Sequence, residues 1–338
     1  MIDTIRKDVK FVHKYIHNVD KLKNKSILIT GATGFFGKWI LEIFYYMNTE
    51  LNYNINITIL TRSFTKFILK YPKFKYYNLN YIEGDVRTFE LSKNAYYDFL
   101  IHAANDNLEE VNPKEMYNLV TEGANNIIYL SKLFDIGRVL FISSASVYGK
   151  KNYDIDKISE DTICNPTTAY GKGKKYAEDK FLDSNIDVVI SRCFSFVGPY
   201  IELDIHYAVG NFIRNVINNE DIIIKGDGRA YRSYMYMADL VYWLLSILIN
   251  ANTKTIYNVG SDIEISIYDL AKLVSNSIND YTGNIKILTK PDYTIPPERY
   301  IPDNTNIKKE LNVKENYNLD YSIRKTIEWN ISIEGKYE

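Results

Sequence analysis

A doubly wound parallel α/β sheet followed by a smaller α/β domain is the fold this sequence predicts, on three observations. Short apolar runs rich in β-branched residues alternate with helical patterns as far as about residue 198. A glycine-rich turn, Gly31-Ala32-Thr33-Gly34-Phe35-Phe36-Gly37, directly follows the first of those runs. Further on, Tyr170 and Lys174 stand four apart, downstream of a Ser-rich strand end, Ser143-Ser144-Ala145-Ser146-Val147-Tyr148-Gly149. On a helix that spacing sets phenol and ammonium on one face, where the cation favours the phenolate and makes a tyrosine usable as an acid/base group.

The elements follow in order. Ile5, Val9, Val12 and Ile16 recur at helical spacing and predict an amphipathic N-terminal helix, which the charged stretch Lys21-Leu22-Lys23-Asn24-Lys25 separates from the rest. Residues 26–30 read as a buried strand, 38–47 as a helix and 55–60 as a second strand. Strands at 81–85, 99–104, 139–143 and 188–192 continue the set, with helices over 114–134 and 169–182 between them. Strands interleaved with helices of this length make a Rossmann-type sheet. After about Pro199 the alternation weakens, and Lys225-Gly226-Asp227-Gly228 and Pro296-Pro297-Glu298 predict a smaller, irregular C-terminal domain. No internal repeat or low-complexity linker interrupts the chain.

Composition narrows the function classes. A chain of 338 residues with 46% hydrophobic content buries a large core, and a net charge of -1 offers nothing to nucleic acid or an anionic membrane. Cys164 and Cys193 could form at most one bridge and have no metal-ligand spacing, nor do His13, His17, His102 and His206, so no metal is expected. The N-terminus lacks the apolar run of a signal peptide, and the longest apolar run, 240–249, is too short to span a bilayer and reads as a buried helix. A reduced, cytoplasmic chain is the plain expectation.

The glycine turn is the first chemical site. Gly31 allows a tight strand-to-helix turn, Gly34 lets backbone approach a diphosphate, and Gly37 permits close helix packing, with the helix N-terminus facing the anion. The spacing is Gly-x-x-Gly-x-x-Gly, which by itself marks only a turn; its place after the first apolar strand makes it informative.

At this point the chain resembles the extended short-chain dehydrogenase/reductases, in particular the nucleotide-sugar epimerase, dehydratase and reductase branch. The resemblance runs from about Lys25 to Leu311. Besides the turn it rests on Gly84-Asp85-Val86-Arg87, similar to the family's adenine-contacting turn, and on His102-Ala103-Ala104, similar to the strand end that lines the cofactor. Arg192-Cys193-Phe194-Ser195-Phe196-Val197-Gly198-Pro199 resembles the segment beside the nicotinamide. Arg232-Ser233-Tyr234-Met235-Tyr236-Met237-Ala238-Asp239, Tyr257-Asn258-Val259-Gly260 and Arg299-Tyr300-Ile301-Pro302-Asp303 resemble its substrate-domain segments.

The resemblance implies roles. Tyr170 exchanges a proton with a sugar oxygen, Lys174 also holds the ribose hydroxyls, and Ser144 orients the substrate oxygen. Gly31, Thr33, Gly34, Phe35, Phe36, Gly37, Asp85, Val86, Ala103, Ala104, Phe194 and Val197 line the cofactor, with Asp85 the partner of the adenine amine. Arg232 and Arg299 suit a sugar-nucleotide diphosphate, and Asn211, Ser146 and Ser195 join them at the substrate. The second strand ends in Thr61-Arg62-Ser63 where NAD-preferring relatives carry an acid, so Arg62 favours NADP(H), with NAD(H) as the other possibility.

Departures from the family pattern bear on the reaction. Ala145 and Ser146 replace the Asp-Glu pair of 4,6-dehydratases, decarboxylases commonly carry Glu at Ser146, and Val120 stands where an asparagine usually serves a proton-relay water. Reduction of a nucleotide-linked keto-sugar by NADPH is therefore favoured. The alternative is an epimerase with tightly held NAD, followed by a decarboxylase or 4,6-dehydratase, or a non-catalytic NADP(H)-binding protein. Expected domains are a helical extension at 1–24, an NAD(P)-binding domain at 25–198 and a substrate domain at 199–338, with the chain returning to the first at about 230–260. Family resemblance further implies a nucleotide-diphosphate sugar as partner, a homodimer through helices 114–134 and 169–182, and a place in polysaccharide precursor synthesis.

Overall fold

Side-chain alternation decides which face of each strand meets which helix. In Ser26–Thr30, Ile27 and Ile29 enter one apolar cluster and Leu28 another, as a period of two requires. The computed structural model describes residues 2–104, 112–149, 155–203 and 207–334. Helix α1 (Ile2–His13) leads to β1 (Ser26–Thr30), α2 (Phe35–Leu51), β2 (Asn56–Thr61), α3 (Phe64–Lys70), β3 (Asn80–Glu83) and β4 (Phe99–His102). Then come α4 (Pro113–Leu133), β5 (Arg138–Ser144), α5 (Ala169–Asp183) and β6 (Val188–Cys193). Beyond them lie β7 (Phe196–Val197), α6 (Ala208–Ile217), β8 (Ile222–Ile224), β9 (Tyr231–Arg232), β10 (Met235–Tyr236), α7 (Met237–Asn250) and β11 (Ile256–Val259). The chain closes with β12 (Ile265–Ser266), α8 (Ile267–Ser275), β13 (Ile285–Ile287), β14 (Arg299–Tyr300), α9 (Thr305–Leu311) and α10 (Leu319–Glu334).

Seven strands form one parallel sheet in the order β11-β6-β5-β4-β1-β2-β3. Helices α1, α2 and α7 cover one face through Ile27, Ile29, Ile57, Ile59 and Ile101; α4 and α5 cover the other through Leu28, Leu100, Val139, Phe141 and Val188. Strand order reverses between β1 and β4, so the crevice beyond their carboxyl ends is where a doubly wound sheet binds ligand. Residues 237–249 of α7 are buried on every side, which suits a helix apolar all round, and β11 after it is the seventh strand of the main sheet.

Differences from the sequence expectations are local. Helix α2 begins at Phe35, three residues before the expected start, because Gly34 serves as its N-cap inside the glycine turn. Strands β3 and β4 stop at Glu83 and His102, since Gly84-Asp85 and Ala103-Ala104 already turn away. The C-terminal part is more regular than its Gly, Asp and Pro content suggests: α6, α8 and α10 enclose an apolar cluster with Phe212, Ile213, Leu270, Val274 and Ile323. Among the described residues no helix is long and apolar enough to cross a membrane, and no three His, Cys, Asp or Glu side chains are grouped to hold a metal ion. His206 lies outside the described residues.

Candidate active site

The crevice is built first by what glycine omits. Gly31 has φ +73°, and a Cβ there would lie 2.4 Å from Ala103 O at the end of β4. A Cβ on Gly37 would lie 2.3 Å from both Ala32 Cα and Gly31 O. These contacts are with backbone, which no rotamer change relieves, so the turn and the first turn of α2 fit only without side chains. Gly31, Thr33, Leu60, Thr61, Arg62, Gly84, Asp85, Val86, Ala104 and Leu119 surround a cleft of about 550 Å³ open to solvent. Free backbone N–H groups at the start of α2 face a site of this kind, which suits a dinucleotide diphosphate. The residues therefore fit the cofactor the turn implies. Leu119, on α4, had no sequence signal because only the helix packing brings it here.

Asp85 is engaged within its own turn. Its carboxylate accepts from Arg87 N at 2.9 Å, Arg87 Nε at 2.9 Å and Arg87 Nη2 at 2.6 Å. These bonds, with Arg62 contributing, hold its pKa below the usual carboxylate value. The turn is thus preformed. At the other strand end, Thr30 Oγ1 sits 2.8 Å from His102 Nδ1 and accepts from Ala104 N at 3.3 Å, while Ala103 N donates to Thr30 O. This fixes Ala103 and Ala104 beside Gly31.

The serine turn comes next to α5. Ser144 Oγ accepts from Ser146 N at 3.2 Å and from Ser146 Oγ at 3.0 Å, so its own proton is left for another acceptor. Ser143 points the other way and donates to Glu178 Oε1 at 2.5 Å. A Cβ on Gly171 would lie 2.5 Å from Ser146 O, so the first turn of α5 touches the serine turn. Lys174, one turn after Tyr170, is buried; its Nζ donates to Ile142 O at 2.9 Å and lies 5.6 Å from the centre of the Tyr170 ring. Burial pushes the Lys174 pKa down to about 8, with Cys193 and Glu178 pulling the other way.

Beyond β6, Phe194 packs 5.0 Å from the Tyr300 ring. Ser195 carries the backbone bond from Met235 N that joins β10 to this segment. Val197 is fully buried in the cluster around Val209 and Phe212. Phe35 and Phe36 meet edge to face at 6.0 Å, and Phe36 meets Phe196 at 5.1 Å, so both rings brace the glycine turn. Asn211 lies half-buried in the first turns of α6.

Strands β12, β9 and β14 form a small sheet that carries both expected arginines, but on different faces. Arg232 pairs in register with Tyr300, and Arg299 with Tyr231, so successive residues send the two guanidinium groups to opposite sides. Arg232 lies 5.8 Å from the Tyr300 ring and bonds Glu298 at 3.1 Å. Arg299 lies 4.7 Å over Tyr231 and pairs with Glu264. Burial pushes the Tyr300 pKa up, with Tyr170 adding to the rise and Arg232 opposing it. Arg299 stands on the other face of this small sheet from Arg232 and Tyr300.

A sequence profile described as the NAD dependent epimerase/dehydratase family matches residues 27–260. The chain belongs to that family, within the extended short-chain dehydrogenase/reductases. It is 30% identical over 291 residues to the dTDP-D-glucose 4,6-dehydratase of Dictyostelium discoideum, covering 77% of this chain and 64% of that protein. It is 26% identical over 297 residues to UDP-glucuronic acid decarboxylase 1 of Arabidopsis thaliana, covering 86% of this chain and 66% of that one. The chain thus spans just under two thirds of the length of both relatives. Among solved structures, Pal from Bacillus thuringiensis superposes with a TM-score of 0.75 at 25% identity over 91% of this chain and 99% of that one. The UDP-glucose 4-epimerase of Thermotoga maritima superposes at 0.76 and 18% identity, over 91% and 99%, and shares the fold.

Proposed function

We propose that the protein reduces a keto group on a nucleotide-linked sugar at the expense of NADPH. The observation that supports this is Arg62: it lines the cleft just past the end of β2, where the chain reads Thr61-Arg62-Ser63 and carries no acid of its own to bind ribose hydroxyls. Its guanidinium suits a 2′-phosphate, the mark of a cofactor that exchanges each cycle. When bound, that cofactor supplies a hydride to the carbonyl carbon. Ser144 donates its free proton to the carbonyl oxygen, since Ser146 already fills its acceptor side. Tyr170 delivers the proton that completes the alcohol, and the Lys174 ammonium stabilises the phenolate left behind. Arg232 and Tyr300 close the substrate side, with Arg232 offered to the diphosphate.

Elimination of water needs two further titratable groups near the sugar. Ala145 is fully buried and Ser146 is committed to Ser144, so neither serves. The same reading takes the protein as a cytoplasmic homodimer that feeds polysaccharide precursor synthesis. Tyr129 and Leu133, exposed on the outer side of α4, support pairing there.

The test is cofactor bookkeeping on purified protein. We expect little bound NAD, NADPH oxidised one for one with UDP-, dTDP- or GDP-linked 4-keto-6-deoxy sugars, and Arg62→Ala weakening NADPH at least about tenfold while sparing NADH, as loss of a charge-assisted phosphate contact predicts. Protein that arrives saturated with NAD and interconverts two nucleotide sugars without added cofactor would establish the epimerase instead.

A further inference from the structure

Tyr170, Lys174 and Glu178 recur every four residues and so lie on one face of α5, turned to the sheet. Glu178 is completely buried. Its carboxylate accepts from Ser143 Oγ at 2.5 Å, from Arg192 Nε at 3.1 and 3.2 Å, and from Arg192 Nη2 at 2.8 Å. Arg192, on β6, passes the contact on: its Nη1 donates to Tyr148 OH at 3.0 Å and Glu160 O at 3.2 Å. Tyr148 OH in turn donates to Asn258 Oδ1 of β11 at 2.7 Å. One carboxylate therefore ties α5 to the ends of β5, β6 and β11 and to the serine turn.

Three consequences reach the reacting groups. Ser143 is held on the Glu178 side, and strand alternation then turns Ser144 into the crevice. The height of α5 against β5 is fixed, which is what lets Lys174 Nζ meet Ile142 O at 2.9 Å. The negative charge also stands one turn from Lys174, a buried cation. Groups facing Lys174 are Tyr170 and Glu178 on its own helix, His102 of β4, the Ile142 carbonyl of β5 and Cys193 of β6. Among these, Glu178 is the carboxylate, paired with Arg192 and accepting from Ser143, while burial pushes the Cys193 thiol up to about 12.

We propose that Glu178 is a positioning residue of the reaction: its buried carboxylate sets the register of α5 so that Tyr170 and Lys174 meet Ser144, and its charge keeps Lys174 an ammonium. The inference rests on the acid/base reading of Tyr170 and Lys174, and holds for reduction and epimerisation alike.

The experiment follows Lys174 by NMR in protein labelled at the lysine ε-carbon, with and without NADPH. Burial pushes the pKa of Lys174 down to about 8 and that of Lys38 down to about 7, and Lys174→Arg identifies which resonance is which. In Glu178→Gln the Lys174 proton affinity should fall about tenfold, one pH unit, as expected on losing a neighbouring opposite charge. NADPH affinity should fall with it at pH above the new midpoint, and Glu178→Asp should restore most of both. Should Glu178→Gln fail to fold with Arg192 left unpaired, the double variant Glu178→Gln/Arg192→Gln is read against Arg192→Gln, from which it differs by the Glu178 charge alone. An unmoved Lys174 midpoint in the folded variant overturns the proposal. Undiminished turnover in Tyr170→Phe would instead overturn the acid/base reading beneath it, and the lysine titration does not depend on that outcome.

Discussion

His102 couples acid stability to the cofactor crevice. Its ring is 3% exposed, lies 2.8 Å from Thr30 Oγ1 through Nδ1, and stacks 5.5 Å from Phe141. Burial first, and the Lys174 ammonium second, push its pKa from 6.5 down to about 3. An unfolded chain binds a proton on this ring below its ordinary pKa, while the folded chain does not until the pH nears the lowered value. The stability it contributes is therefore complete above 6.5 and lost progressively as the pH falls toward 3. Linkage gives a loss of roughly 2.5 kcal/mol between about pH 7 and about pH 4.5, and raising the folded pKa by a whole unit changes this by only about 0.1 kcal/mol. The assay is urea denaturation at both pH values for the wild type and His102→Gln, whose amide stays neutral and can still meet Thr30. The wild type should lose roughly 2.5 kcal/mol more than the variant. Equal losses would refute the reasoning, since the ring would then be free to ionise in the folded state.

Two further outcomes follow from the site. Gly37→Ala places a methyl 2.3 Å from backbone of the glycine turn, so it should weaken NADPH binding at least about 100-fold and lower the melting temperature, both read by fluorescence titration and thermal melting, whereas Gly226→Ala, with nothing within 4 Å, should leave both unchanged. Tyr170→Phe should keep NADPH affinity within a few-fold while turnover falls by roughly 10²–10⁴, the usual contribution of a general acid, measured by NADPH oxidation.

What was legible in the sequence is what depends on neighbours in sequence. The glycine turn, the Tyr170–Lys174 spacing and the serine strand end each span a few residues, and helical or strand geometry alone fixes their relation. The apolar run of α7 was legible for a similar reason, because a helix without a polar face has nowhere to sit but inside. Contacts between distant strands were not. Glu178 and Arg192 pair across the step from α5 to β6, and neither residue announces the other. A faint signal existed: Glu178 extends the four-residue rhythm of Tyr170 and Lys174, and a carboxylate on the face that must be buried demands a partner. Arg232 and Arg299 show the converse. Both arginines were visible, but two-residue strands carry too short a pattern to reveal that they point to opposite faces.

Val120 joins the two ends of this reasoning. It is buried at the crossing of α4 and α5, where a Cβ on Gly173 would lie 3.1 Å from Val120 Cβ, so its place is taken by packing and offers no polar atom for a relay water. Reduction takes up one proton per turnover, whereas epimerisation returns to the substrate the proton it removed. With no polar atom at Val120 and Lys174 Nζ bound to the Ile142 carbonyl, the proposed reduction has Tyr170 regain its proton from the crevice, on which its half-exposed ring opens. On the proposed reading, an exchangeable NADPH held at Arg62 and an apolar residue at position 120 suit the same net reduction.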